Sequence, residues 1–180
     1  MRAMRTPLIV FRAAILAAIL AAFLTAFLTL ARPVRAAYDA NEVSLGATEK
    51  ALLERFPAAH CKPLEWKSKA AERRCDDSKA LIGGVPGRIT FYLKRDRVEA
   101  FDLRFDTKDA ERLGAFLKKR YGAPAEERRS KLEDQRRGEI YKVEWKKGEE
   151  RAVLTSLSTK GRASLTVWRG DFEDEIYRVR

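Results

Sequence analysis

Residues 88–124 constrain the fold most, because they read as strand, turn, strand, helix and stop in one uninterrupted run. Ile89, Phe91 and Leu93 alternate with Arg88, Thr90, Tyr92 and Lys94, the period of two that belongs to a half-buried strand. Arg95-Asp96 falls where a tight turn would close a hairpin, and Phe101, Leu103 and Phe105 then alternate with Asp102 and Arg104. Ala110, Leu113, Phe116, Leu117 and Tyr121 follow at three- and four-residue spacing, the apolar stripe of a helix. Gly122 supplies a left-handed cap and Pro124 ends the element. A hairpin feeding a helix that lies back across its apolar face builds a core. It carries no chemistry of its own.

The same order is expected elsewhere in the chain. A short helix is predicted over 48–56, with Thr48 as N-cap, Glu49 at the positive end of the dipole, Leu52, Leu53 and Phe56 as its stripe, and Pro57 as its stop. Strands near Leu81, Arg88 and Val98 follow it. Gly83, Gly84 and Gly87 permit a turn and a bulge there; they lack the spacing and the Lys-Ser/Thr of a phosphate loop. After the second helix, residues 125–138 are densely charged, with Leu132 their single large apolar side chain, and read as a solvated connection. Tyr141, Val143 and Trp145 alternate with lysines and Glu144, a turn falls at Lys147-Gly148, and strands follow at 152–157 and 163–168. The expected fold class is therefore α+β. Two helix-then-antiparallel-meander units stand in tandem, residues 37–106 and 107–180, with both helices on one face of a continuous sheet.

Residues 1–36 differ from the rest. Arg2, Arg5 and Arg12 precede an uncharged apolar run over 13–31, long enough to cross a bilayer as a helix. Pro33 breaks it, and Val34-Arg35-Ala36 puts small residues at the −3 and −1 positions of a signal cleavage site. The leader is either a signal peptide removed after Ala36 or a signal anchor that keeps residues 13–31 in the inner membrane. Either way the remainder is expected in the periplasm. Five of the 37 basic residues lie in this leader, leaving 32 against 26 acidic ones. That excess, interspersed with acids, suits weak contact with an anionic membrane or cell wall and does not form the one-sided basic face of a nucleic-acid binder.

Cys61 and Cys75 are the only cysteines. In an exported chain they are expected to form a disulfide closing a loop of about 15 residues, worth about 3 kcal/mol on the chain-entropy account. A metal or redox role would call for closely paired ligands or Cys-x-x-Cys spacing, and the chain has neither. No catalytic, cofactor or metal residues are assigned. His60, the single histidine, reads as a loop residue beside the bridge, and a hydrolase would need a deep pocket joining it to Asp76 or Asp77. The acids Asp171, Glu173, Asp174 and Glu175 read as a solvated tail. Trp66 and Trp145 are expected to pack. Trp168, on the Ser164/Thr166 side of its strand, and Arg169 form the candidate exposed binding surface. These features point to an exported, non-enzymatic module that binds an envelope protein through its sheet face or an edge strand; a binder of anionic envelope polymer or lipid is the first alternative and a hydrolase with an unrecognised site the second.

Gly46-Ala47-Thr48, Leu52 and the helix end Phe56-Pro57 resemble the Gly-x-Ser/Thr helix start of the small exported superfamily that contains the outer-membrane-assembly lipoprotein and the β-lactamase inhibitor protein. The hairpin over 88–105 and the helix ending Arg120-Tyr121-Gly122-Ala123-Pro124 resemble uncharacterised bacterial periplasmic proteins of that shape. The likeness covers most of residues 43–168. It implies an α+β fold and action by protein contact. The chain departs from the lipoprotein relatives in having no cysteine before Cys61, so their lipid-attachment residue is missing.

Overall fold

The computed structural model describes residues 38–131 and 138–172. The leader, its apolar run over 13–31, the cleavage site near Ala36, Leu132 and the acids Glu173, Asp174 and Glu175 lie outside the described residues. Among the described residues no helix is long and apolar enough to cross a membrane.

Eight strands form one antiparallel sheet: β3 (His60–Pro63), β4 (Arg73–Ile82), β5 (Val85–Lys94), β6 (Arg97–Asp106), β7 (Glu126–Lys131), β8 (Glu139–Lys147), β9 (Glu150–Leu157) and β10 (Arg162–Arg169). Their spatial order is β3-β4-β5-β6-β10-β9-β8-β7, so two four-stranded meanders meet at their last strands. Helix α1 (Glu49–Arg55) precedes the first meander and α2 (Ala110–Tyr121) precedes the second. A two-stranded strap, β1 (Asp39–Ala40) and β2 (Val43–Ser44), comes before α1.

The alternation expected from sequence fixes which face carries the core. Cys75, Phe91, Phe101, Val167, Ala152 and Trp145 stand opposite one another across six strands, and each is at most 1% exposed. Ile89, Leu103, Leu165, Leu154 and Val143 form the adjoining row, and they are equally sealed. Both helices lie on this face. Leu52 and Phe56 of the first and Leu113 and Leu117 of the second share one cluster with these rows, and the Phe56 ring lies 4.9 Å from that of Phe91. Each leucine buried to this degree contributes roughly 1.5–3 kcal/mol.

Local signals act where they were expected. Thr48 Oγ1 accepts the Ala51 N–H at 3.2 Å, and the Phe56 N–H donates to the Leu52 carbonyl. Arg95-Asp96 and Gly83-Gly84 make the tight turns of the β5–β6 and β4–β5 hairpins, all four residues at positive φ. Gly122 sits at φ +90°, and its carbonyl accepts the Trp145 indole N–H at 2.9 Å. The strap is tied to α2 by Arg120 on Asp39 and by the Tyr121 hydroxyl, which donates to the Asp39 carbonyl at 2.6 Å.

Each meander holds one strand more than the three the pattern predicts. Residues 126–131 were expected as solvated connection but form edge strand β7, every side chain exposed. The expected stapled loop contributes β3 and the start of β4, which begins at Arg73 rather than near Leu81. Backbone pairing to β8 and β4 makes these edges, with little side-chain burial to announce them.

Candidate functional site

The two sheet faces are covered differently. Opposite the helices, the outer face carries Arg74, Asp76, Thr90, Tyr92, Ala100, Asp102, Arg104, Ser164, Thr166 and Trp168 on its central strands. One end of that face is roofed. The segment between β3 and β4 brings Leu64, Trp66, Ala70 and Ala71 into a small cluster with Tyr92, Ala100, Trp168 and Phe172. Ser68 Oγ caps that segment by accepting the N–H groups of Ala70 and Ala71. The Cys61–Cys75 disulfide forms between directly opposed residues of β3 and β4, 14 positions apart in sequence, and so staples the base of the roof. Glu49 lies beside the two sulfurs, but these are bonded to each other and are not available as ligands in this form.

Here the expected exposure of Trp168 is corrected. Trp168 is only 5% exposed. Its side of the strand does face away from the helices, but the stapled segment folds over it. Arg169 is held by Glu99 through two hydrogen bonds of 2.5 and 2.7 Å.

The other end of the outer face is open. Residues of β4, β5, β6 and the start of β10 line a broad concavity of about 1140 Å³. A hydroxyl-and-carboxylate row crosses it. Asp76, Thr90, Asp102 and Thr166 stand opposite one another on four adjacent strands. Thr90 donates to Asp76 at 2.7 Å and Thr166 donates to Asp102 at 2.8 Å. Asp102, 9% exposed, also accepts from Arg104 Nε at 2.9 Å. Arg74 Nε lies 3.0 Å from Asp76 Oδ2 but is not aligned for a hydrogen bond, so their attraction is that of charge for charge. Both carboxylates in the row are thus matched by a hydroxyl and a guanidinium. Burial, followed by the Asp102 charge, pushes the Tyr92 hydroxyl up to about 12 from an ordinary value near 10, so it stays a neutral phenol.

Towards the open rim the balance turns cationic. Arg88 stands directly opposite Arg104, a like-charged pair that a sheet disfavours. Among the described residues no ion pair engages the side chains of Lys79, Arg88 or Arg162, all of which line the concavity. Asp106, opposite Arg162, is taken up instead by Lys108, whose backbone N–H donates to it at 2.9 Å and holds its carboxyl below the usual range. Leu81, 58% exposed, forms part of the same rim with Pro86. The hydroxyl row and the arginine pair were missed from sequence, although the alternation that defined the buried face also listed their members on the opposite one.

His60 is exposed and opposite Asp76 in register, yet it does not line the concavity that Asp76 and Asp77 line. Asp77 faces inward and accepts the Lys79 N–H at 2.8 Å in the irregular stretch of β4. Among the described residues the open face carries paired hydroxyls and carboxylates, cations without an ion-pair partner and one large exposed apolar side chain. Comparisons with protein-family models, curated proteins and solved structures find no match to this chain.

Proposed function

We propose that the chain is an exported, non-enzymatic interaction module of the bacterial cell envelope, and that the open end of its outer sheet face is the surface that binds another protein. The observation that carries this reading is the asymmetry of the sheet: one face is sealed by both helices and half of the other is roofed, while the remaining half presents polar and cationic groups on four paired strands. Groups held on strands lose little freedom when a partner docks, which favours recognition. The apolar leader and the disulfide support placement in the periplasm, either free after cleavage near Ala36 or anchored by residues 13–31. The two helix-and-meander halves are read as tandem units, residues 37–106 and 107–180, related in shape to the superfamily of the outer-membrane-assembly lipoprotein and the β-lactamase inhibitor protein.

Lys79, Arg88 and Arg162, which have no ion-pair partner among the described residues, favour a second reading, an anionic envelope polymer or lipid as the bound species. A photo-crosslinking residue at Ser164, on the outer face between Arg104 and Thr155, separates the two. In intact cells it should join the chain to one envelope protein in a saturable manner, while the same group at Lys119, on the exposed side of α2, should not. Recovery of polymer or lipid alone from Ser164, or equal yields from both positions, would defeat the protein-binding reading.

A further inference from the structure

The rim of the open face has a composition that names its partner more closely. Arg88 and Arg104 face each other across β5 and β6. Arg104 gives its Nε to Asp102, and neither its terminal nitrogens nor the Arg88 guanidinium has a partner among the described residues. Like charges directly opposite each other on paired strands are disfavoured, a nearby anion relieves that cost, and planar guanidinium forks suit a carboxylate or a phosphate. Leu81 and Pro86 border the same concavity, and Leu81 is the one large apolar side chain left exposed among the described residues. A bare phosphate would answer the arginines but has no use for Leu81. A segment with a carboxylate beside an apolar side chain satisfies both.

We propose that Arg88 and Arg104, together with the exposed Leu81, receive an acidic segment of a partner protein, its carboxylate between the arginines and an adjacent apolar side chain on Leu81. This inference rests on the outer face being a protein-binding surface and adds the chemistry of what binds. Arg88 is the decisive residue because it is exposed and its side chain has no hydrogen-bond or ion-pair partner among the described residues. Arg88→Glu would turn the repulsion with Arg104 into attraction, so the variant should unfold no earlier than the native chain.

The test pans random linear peptides against the full-length chain in mild detergent and measures the affinity of the enriched sequences. Enriched peptides should pair acidic with apolar residues. They should bind Arg88→Glu at least about tenfold more weakly, Arg88→Gln less so, and Lys119→Glu unchanged. Binding should also weaken as salt rises. Failure to enrich any peptide, enrichment of peptides without carboxylates, or indifference to Arg88→Glu would overturn the inference. So would saturable binding of inorganic phosphate or phosphatidylglycerol vesicles that displaces every peptide. If Arg88→Glu still crosslinks from Ser164 to the same envelope protein with undiminished yield, the face binds protein but this inference falls alone.

Discussion

Reducing the Cys61–Cys75 bridge is expected to lower the stability of the chain by about 3 kcal/mol without altering its folded state. The figure follows from the sequence separation of 14 between the two cysteines, because a loop of about that length loses roughly 10 cal/mol/K of freedom when it is closed in the unfolded chain. The folded roof has other attachments. Leu64 N–H donates to the Glu72 carbonyl at 2.9 Å, Glu72 N–H donates to that of Leu93 at 2.8 Å, and Ala71 is buried in the cluster with Trp168. Those bonds hold the segment when the sulfurs part, so the loss enters through the unfolded ensemble. Urea unfolding of the oxidised and reduced chain, followed by tryptophan fluorescence, measures it, and a thermal scan should show a fall of roughly 10 °C. The folded baselines should coincide, because Trp66 and Trp168 keep their surroundings. Equal midpoints with and without reductant would refute the entropic reasoning. A red shift of the folded emission on reduction, ahead of unfolding, would show instead that the bridge alone holds the roof.

Two further outcomes follow from the packing. Gly83→Ala should destabilise by about 1–3 kcal/mol in denaturant titration, because φ is +57° there and a β-carbon would sit 2.6 Å from the Phe116 ring; an unchanged midpoint would mean that the β4–β5 turn does not rest on α2. Tyr92 and Tyr141, both raised to about 12 chiefly by burial, favour the folded state below pH 10, so stability should be level up to that point and fall from pH 10 towards 12 as unfolded tyrosines ionise. Tyrosinate absorbance against pH checks it, and ionisation of all tyrosines near 10 in the folded chain would contradict it.

Period and punctuation made much of the fold legible. The alternation through Ile89, Phe91 and Leu93 marks the buried face, the stripe through Leu113 and Leu117 marks the helix, and glycine with proline marks its end. Those signals are local, since burying one face forces a repeat of two or of about 3.6 whatever the rest of the chain does. The edge strands β3 and β7 escaped notice for the converse reason. Their hydrogen bonds run to β4 and β8, and their largely exposed side chains carry no periodic trace.

The site was less legible than the core. Trp168 has the alternation of a solvent-facing residue, and only the return of a distant segment bearing Trp66 and Ala71 buries it. Arg88 and Arg104 are 16 positions apart in sequence, and nothing near either one says that they stand face to face. By itself, then, the amino-acid order determined which residues turn inward, where the helices start and stop, and the basic apolar leader. The tertiary structure alone decided which outward residues are covered and which charges are left opposed. Cover and opposition depend on the register between strands remote in the chain, and that register is set by the packed sheet as a whole.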